Sequence, residues 1–491
     1  MSVVARQGFK YSIIGYVATL IGMFSIFIFT NDLFFYGKLR LIMSSAEMLV
    51  PFVVLGISYS NVKFFGKAHE DDKHQNMLSL SLALVSINFL IFLIVFFLIP
   101  TVFPEFTKMK IWESKKYILP LVLTLSLCAI FNRYISNYKR IVVSNIFDNL
   151  LPKLANLGSF CLFFYFQFSE QIALAFFFGM FALMLTGYIY YTNKLDKIKL
   201  DFSRDYFKKD NFYKEFAAYS FFGFLGTFGN HMAINNYMIG EFIGEEEIAV
   251  YSILLALISL ISIPQLGLFN ISAPIIRKNL ADGDMEDLDR FHKKTSLTIY
   301  FLGAVLFGCI MVGFPYLTHF MPNKGDLLRM YEPVIWIWGS AVLMDLATGF
   351  NGNIISLSKY YKFNIIVMLL LAGLTISLNW YFIHHTDLSL IGIALSTAIS
   401  VTIYNLIKVI FNYFVFKVSP FSIEMIFVSI ICTLAITVAI VLPVFDNNFI
   451  NLVYKPAVVL VLIFIGNHFT KIFPIEDYLN MRFIKSLLKF K

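Results

Sequence analysis

The chain has 491 residues, of which 58% are hydrophobic and only 14% are charged, whereas about a quarter of the residues in soluble domains are charged. This composition excludes a soluble globular protein, and four cysteines inside apolar runs do not suggest a secreted disulfide scaffold. The 39 Lys and Arg residues against 31 Asp and Glu residues give a net charge of +8, which in a membrane chain encodes topology before nucleic-acid binding.

Fourteen apolar runs are long enough to cross a hydrocarbon core about 30 Å thick as helices. They cover residues 11–30, 41–62, 77–99, 117–136, 149–168, 170–192, 216–240, 248–273, 296–317, 333–357, 363–384, 388–412, 421–443 and 450–470. Helices satisfy their backbone polar groups internally, as a hydrocarbon environment requires. The sequence therefore predicts an all-α polytopic membrane protein with about 14 transmembrane helices.

A basic stretch at 200–214 follows the sixth predicted span and divides the chain. The sequence LFFYG at 33–37, after the first span, is similar to IAVYS at 248–252, after the seventh. Six spans in each half is an even number, which predicts parallel repeats with a cavity between two lobes. We therefore predict an N-terminal six-helix lobe (1–199), a cytoplasmic linker (200–214), a second six-helix lobe (215–417), and two added helices with a basic tail (418–491).

The distribution of Lys and Arg residues predicts the orientation. If the N-terminus is cytoplasmic, 29 basic residues, among them Lys408, fall on the cytoplasmic side. Nine fall on the other side, among them Arg40 and Lys455, and Lys153 alone lies within a span. Because cytoplasmic loops carry an excess of positive charge, both termini are predicted to be cytoplasmic.

Charged side chains inside the predicted spans are the first candidates for function, because a charge at membrane depth is costly. Asp345 lies near the middle of the tenth span, Glu47 in the second, and Lys153 in the fifth beside Pro152. Each is a candidate for lining a transport cavity. The alternatives are a buried hydrogen bond for Asp345, hydration near the span end for Glu47, and a Lys153 ammonium that reaches the membrane surface.

Polar side chains are concentrated in the seventh span, at Asn230, His231 and Asn235. His231 and Asn235 are four residues apart and share a helix face. This density indicates cavity lining, and hydrogen bonding between helices is the alternative. No second histidine stands at metal-ligand spacing from His231, so no metal site is predicted.

Gln265 and Asn270 lie between Pro264 and Pro274 in the eighth span. Because proline removes a helical hydrogen bond, this span is the one predicted to be broken, with both polar side chains lining a site.

Basic residues near the cytoplasmic ends of the fourth and eighth spans are candidates for binding a phosphate headgroup. They are Arg133, Lys139, Arg140, Arg277 and Lys278. Membrane topology is the alternative explanation for the same charges.

Short motifs recur in an order typical of one family of transporters. They are GFKY at 8–11, YG at 36–37, VLGI at 54–57, APIIRK at 273–278 followed by DGDME at 282–286, SLSK at 356–359 and LIGIALS at 390–396. In order and spacing, the chain resembles Wzx-type polysaccharide flippases of the multidrug/oligosaccharidyl-lipid/polysaccharide exporter superfamily. The resemblance covers roughly residues 5–415, and the last two spans look like an addition.

The resemblance implies a bacterial inner-membrane flippase that moves a polyprenyl-pyrophosphate-linked oligosaccharide to the outer leaflet by alternating access. Such a protein would serve O-antigen, lipopolysaccharide or other surface polysaccharide synthesis, alongside other assembly proteins, without a cofactor but with Na⁺ or H⁺ as candidate coupling ions. Relatives that flip lipid II are expected to place several arginines in their central cavity. The first and eighth spans have none at mid-depth, which counts against that substrate.

Two other classes are considered. A cation-coupled drug or small-molecule antiporter of the same superfamily would use the membrane acids Asp345 or Glu47. A polytopic glycosyltransferase or O-antigen polymerase is less favoured, because no phosphate-binding loop, nucleophile motif or metal-ligand spacing is present. The sequence therefore predicts a transporter and not an enzyme.

Overall fold

The computed structural model describes residues 3–138, 140–208, 211–227, 230–321 and 324–473; the side chains of residues 3–13, 141 and 266–271 lie outside that description. Within these ranges the chain forms helices and no strand. Lys139 and the basic tail therefore lie outside the described residues, as does the side chain of Asn270.

The first half of the molecule runs through ten helices of the described ranges, and a π-helical turn (Ile146–Leu150) lies between the seventh and eighth. They are α1 (Val3–Phe29), α2 (Leu33–Val54), α3 (Ile57–Glu70), α4 (His74–Val102), α5 (Lys110–Glu113), α6 (Lys115–Asn137), α7 (Ile141–Asn145), α8 (Leu151–Phe164), α9 (Glu170–Leu195) and α10 (Asp205–Lys208).

The remaining helices form the second half. They are α11 (Phe212–Thr227), α12 (His231–Phe242), α13 (Glu245–Ile258), α14 (Ile263–Asp282), α15 (Met285–Leu317), α16 (Gly325–Met330), α17 (Glu332–Thr348), α18 (Asn351–Leu357), α19 (Tyr361–His385), α20 (Ser389–Phe416), α21 (Ile423–Val441) and α22 (Asn448–Thr470).

The chain is a multi-pass membrane protein, and the predicted all-α polytopic fold is confirmed. Nine helices of the described residues are long and apolar enough to cross a membrane, and two bent helix pairs raise that number to eleven. The other three predicted spans are also helical but shorter or interrupted: the apolar part of α1, α8, and the pair α11 and α12. The predicted number of fourteen is compatible with this arrangement.

The second predicted span bends by 49° between α2 and α3. Leu55 and Gly56 both have left-handed backbone angles at the break, with φ of 45° and 71°. Pro51 lies in the last turn of α2 and has no N–H to donate. The carbonyl of Val53, in the last turn of α2 at the break, accepts a hydrogen bond of 3.1 Å from the Asn88 side chain. The break is therefore satisfied within the protein, as a membrane environment demands.

The stretch between Pro264 and Pro274, where the eighth span is predicted to break, is a continuous part of α14, and a short 3₁₀ turn at Ser259–Ser262 lies before it instead. A larger bend of 49° separates α17 from α18 in the tenth span, where the sequence did not predict one. Gly349 has a φ of 59° there, and a Cβ at this position would lie 2.0 Å from the Ser296 Oγ. Only glycine fits that backbone and that contact.

Besides Lys153, other basic residues that are buried or half-buried lie within helices. Arg40 lies in the second turn of α2, Lys408 in α20 and Lys455 in α22. Arg40 and Lys455 therefore lie within helices and not in the connections between them, and the predicted side of the membrane for each stays a prediction. The physical reason at Arg40 is the Asp32 side chain, which caps α2 by accepting a bond of 2.9 Å from a backbone N–H and starts the helix before the apolar run.

The two halves meet where the similar segments 33–37 and 248–252 lie, because α2 packs against α13. The backbone at Gly37 touches the backbone at Glu245: a Cβ on Gly37 would lie 1.8 Å from the Glu245 carbonyl oxygen. We call this contact the α2–α13 seam. The proposed lobe boundaries themselves stay a prediction.

Lys455 joins the last two helices. Its ammonium donates to the carbonyl oxygens of Ala439, Ile440 and Leu442 at 2.8, 3.3 and 2.9 Å, and the residue is 2% exposed. These carbonyls end α21 and have no helical N–H partner. A buried cation therefore caps one helix from the next.

Replacing Lys455 by methionine is expected to lower the free energy of unfolding by about 2 kcal/mol, because charge-assisted bonds to carbonyls that are otherwise unpaired are lost. Thermal unfolding in detergent measures this, with Lys116→Met as the control at an exposed lysine. Equal unfolding midpoints for both variants would contradict the capping role.

The basic stretch after α9 is held against the start of α4. The Asn76 side chain donates to the carbonyls of Asp201 and Ser203 at 3.0 and 2.9 Å. The turn between α3 and α4 and the basic stretch after α9 therefore lie at the same end of the bundle, which we call the basic end.

Asp196 collects several polar contacts at the basic end. Tyr134 and Tyr138 each donate to its carboxylate at 2.9 Å, Gln75 also donates, and the His74 Nε2 lies 2.9 Å away. Burial raises the pKa of this carboxyl, but the hydrogen bonds and His74 together bring the pKa below its usual value. The ionised form is therefore favoured by folding.

This contribution to stability is present above the usual carboxyl pKa of about 3.9 and is lost as the pH falls through the lowered value. Asp196→Asn is expected to lower the unfolding midpoint by about 2 °C at pH 7 and to leave no difference from the unsubstituted protein in strong acid. Thermal scans from pH 7 down to about pH 2, below the usual carboxyl pKa, test this; a difference that persists at the acid end would contradict it.

Candidate functional site

A cavity of about 730 Å³ lies between the two halves, and we call it the central cavity. Helices α1, α2 and α8 supply one wall, and α12, α13 and α17 supply the other. Its polar lining residues are Thr19, Ser25, Tyr36, Arg40, Glu47, Asn149, Lys153, Asn156, Asn230, Asn236, Ser252, Ser259 and Ser262. The volume falls in the range of about 300–1,000 Å³ that is typical of ligand pockets.

Two cations from the first half face the central cavity. The Arg40 Nε donates to the Ser252 Oγ across the cavity at 3.0 Å, and the Lys153 ammonium donates to the Ala18 carbonyl at 2.8 Å. Both residues are half-buried. Gly22 leaves room for the lysine, since a Cβ there would lie 3.5 Å from the Lys153 Nζ. The first-half wall is therefore positively charged.

Glu47 lines the same cavity as Lys153 and Arg40. No ion pair of 4.0 Å or less joins Glu47 to either cation in the described part of the chain. The fold thus brings the three charged side chains to one cavity without pairing them.

The opposite wall offers amides from α12. Asn230 caps this helix by accepting from the Ala233 N–H at 3.4 Å, and it lines the central cavity. Asn236 also lines it; this residue is 3% exposed, and its Oδ1 has no hydrogen-bond partner among the described residues.

Asn235 does not line a cavity. Its amide donates to the hydroxyls of Thr397 and Tyr251 at 2.7 and 3.3 Å, and its oxygen accepts from Asn379 at 2.8 Å. Asn235 therefore holds α12 to its neighbours, as the alternative interpretation of the seventh span proposed. His231 lies apart from it, on a second cavity, with its ring against Trp338.

This second cavity of about 400 Å³ lies within the second half, and we call it the C-half cavity. Asp345 lines it and accepts a bond of 2.6 Å from the Asn405 amide. Lys408, which is 6% exposed, also lines it and lies 3.6 Å from the centre of the Tyr404 ring. Gln265 completes the set of predicted residues at this cavity.

A third cavity of about 510 Å³ lies in the first half, and we call it the N-half cavity. Arg133 lines it, with the guanidinium 5.0 Å from the Tyr59 ring centre. Asp148 lies in the π-helical turn and accepts from the Tyr188 hydroxyl at 2.7 Å and from Asn132. The N-half cavity is therefore also polar.

The three cavities adjoin. Asn149 lines both the N-half and the central cavity. Four residues line both the central and the C-half cavity: Met232, Ser262, Trp338 and Val342. A connected series of three cavities with polar lining residues, which we call the polar track, therefore crosses the molecule from one half to the other.

The other predicted headgroup residues lie elsewhere. Arg140, Arg277 and Lys278 are exposed and line none of these cavities. Only Arg133 of that set faces a cavity in the described residues.

Arg40, Lys408 and Asp148 were not predicted as site residues. For Arg40, the cap signal of Asp32 points to an earlier helix start than the apolar run suggests. For Lys408, the spacing of four residues from Tyr404 places both on one helix face. For Asp148, no sequence signal shows that the helix is π-helical there.

No known protein family and no curated protein matches the sequence. Solved structures do match the fold. The lipid II flippase MurJ in an inward closed conformation aligns with a TM-score of 0.68 and 15% identity, over 94% of this chain and 98% of that one. A MATE transporter in complex with MaL6 aligns with a TM-score of 0.57 and 14% identity, over 85% and 97%.

A MOP superfamily transporter from Pyrococcus furiosus aligns with a TM-score of 0.54 and 14% identity, over 85% of this chain and 96% of that one. The chain therefore shares its fold with these three solved structures. At identities this low, the similarity shows the fold and not the substrate.

Proposed function

We propose that the protein flips a polyprenyl-pyrophosphate-linked oligosaccharide from the cytoplasmic to the outer leaflet of a bacterial inner membrane, with both termini cytoplasmic. The observation that supports this most is the pair of cations, Arg40 and Lys153, on the first-half wall of the central cavity. An ionisable residue at membrane depth is a candidate functional site by default, and the natural ligand of two cations is an anion.

The chemistry of a pyrophosphate headgroup suits this wall. Guanidinium and ammonium groups form the strongest hydrogen bonds to phosphate oxygens. Asn230 and Asn236 on the facing wall add neutral amides that suit the hydroxyl groups of sugars. Neither set is expected for a purely structural membrane protein.

The contacts between the halves support alternating access. The α2–α13 seam is one contact between the halves, and both of its helices line the central cavity. Toward the basic end, α3 packs against α11, with Phe64 5.0 Å from Phe212 and Ser60 bonded to the Phe216 carbonyl at 2.9 Å. Two halves that meet at separate contacts can part at one contact while the other stays closed.

A cation-coupled antiporter is the second candidate function. Asp345 places a carboxyl group at the C-half cavity, and Glu47 places one at the central cavity. A solved MATE transporter shares the fold. Either function leaves Na⁺ or H⁺ as a candidate coupling ion, and no cofactor is proposed. Other polysaccharide assembly proteins are proposed partners for the flippase.

The leaflet distribution of polyprenyl-linked oligosaccharide tests the proposal. A membrane-impermeant sugar-modifying reagent measures it in cells with and without the protein. Accumulation in the cytoplasmic leaflet when the protein is absent is the expected result. An unchanged distribution, together with loss of cationic-dye efflux, would instead favour the antiporter.

A further inference from the structure

We propose that the C-half cavity binds an acidic sugar unit of the transported glycan, with Lys408 receiving its carboxylate. This inference rests on the proposed function, because it names a property of the substrate. It concerns a different cavity from the one that would hold the pyrophosphate.

Lys408 is the cation of the C-half cavity. It lies within α20, is 6% exposed and lines the C-half cavity. Among the described residues, its ammonium has no hydrogen-bond acceptor and no ion-pair partner within 4.0 Å; it lies 3.6 Å from the centre of the Tyr404 ring, and the Asp345 carboxylate at the same cavity lies farther away than 4.0 Å. A buried ammonium without an acceptor is unfavourable unless an anion or hydroxyl from a ligand joins it.

The rest of the lining suits a polyhydroxyl compound. Asp345 is oriented by Asn405, and a carboxylate accepts hydrogen bonds from more than one donor. The Asn353 Nδ2 and the Asn364 Oδ1 are buried at the cavity without hydrogen-bond partners in the described part of the chain. An unpaired donor, an unpaired acceptor and a free carboxylate oxygen together match the hydroxyls of a sugar.

Aromatic side chains complete the resemblance to a sugar site. Trp338 and Tyr404 both line the cavity and offer apolar ring faces for the C–H faces of a pyranose. The volume of about 400 Å³ lies in the lower part of the range for small-ligand pockets. A single acidic sugar unit, and not a whole oligosaccharide, is therefore the ligand that fits.

The charges favour an acidic over a neutral sugar. Asp345 needs donors, which sugar hydroxyls supply, whereas Lys408 needs an acceptor, and a carboxylate forms the stronger bond. The pyrophosphate of the carrier lipid would remain at Arg40 and Lys153, which lie on the other wall of the central cavity.

The test uses the full-length protein in lipid nanodiscs, with glucuronate and glucose as probes and saturation-transfer NMR to measure both dissociation constants. Glucuronate is expected to bind about tenfold more tightly than glucose. Lys408→Met is expected to remove this preference while glucose still binds, which shows that the cavity is intact. Lys408→Arg retains the charge and is expected to retain the preference.

Lys359→Met is the matched control, because it removes an ammonium that also lies over a tyrosine, at 5.2 Å, but is exposed. Equal affinity for the two probes in the unsubstituted protein, or a preference that survives Lys408→Met, would overturn the proposal. Inorganic pyrophosphate binding, expected to require Arg40 and Lys153 and not Lys408, is measured in parallel. If pyrophosphate does not bind, or binds without Arg40 and Lys153, the result would count against the proposed function alone.

Discussion

Replacing Arg40 and Lys153 together by glutamine is expected to reduce flipping of the lipid-linked oligosaccharide by about a hundredfold or more. Both cations face the central cavity, and each charge-assisted bond to a phosphate contributes about 1.5–3 kcal/mol. Glutamine keeps much of the side-chain length and a hydrogen-bond donor, so the change removes mainly charge. The leaflet distribution of the oligosaccharide measures the effect.

Arg290→Gln with Lys293→Gln is the matched control. These residues form ion pairs one helical turn along α15, with Glu286 and Asp289, away from the three cavities. The control is expected to flip normally, and both double variants are expected to reach normal membrane abundance. Normal flipping by the Arg40 and Lys153 variant would remove the central cations from the mechanism.

Gly37→Val is expected to abolish transport by holding the α2–α13 seam open. The new Cβ would lie 1.8 Å from the Glu245 carbonyl oxygen, so the two helices must separate. Overpacking of this kind costs about 1–3 kcal/mol, enough to shift a two-state equilibrium about tenfold or more. A cysteine placed at Ser259 on the central cavity is expected to react about tenfold faster with an impermeant maleimide added from the seam side.

Gly179→Val is the control, because a Cβ at Gly179 meets nothing within 4 Å and the residue is exposed. It introduces the same side chain into a long helix, with the same loss of glycine, but outside any seam. Labelling at an unchanged rate in the Gly37 variant, with transport retained, would show that the seam does not open during the cycle.

The two variants affect different steps of transport, namely substrate binding and the movement of the lobes. The cation variant removes binding and leaves the lobes free to move, whereas the glycine variant blocks movement and leaves the cations in place. If flipping proceeds by alternating access, pyrophosphate binding is lost in the first variant and kept in the second. An antiporter would need neither Arg40 nor Lys153 for dye efflux.

The candidate site was predictable in part. Asp345, Lys153, Glu47, Asn230, His231 and Gln265 were selected because polar residues in apolar runs are rare and easily recognised, and the structure places each of them at a cavity. Asn235 was selected by the same criterion but lies in a buried network with Asn379 and Thr397. Helix α12 contains residues that line a cavity and a residue, Asn235, that bonds to neighbouring helices. Which residue does which depends on the rotation of α12 about its axis relative to those neighbours.

The sequence by itself determined the membrane class, the all-α fold and the approximate positions of the nine to eleven spans found among the described residues, because hydropathy is a local property that the bilayer converts directly into helices. The tertiary structure alone decided that Arg40 and Lys408 face cavities and that Lys455 caps a neighbouring helix. Those outcomes depend on where a helix starts and which face it turns inward, which are set by contacts between residues far apart in the chain, such as Gly37 and Glu245.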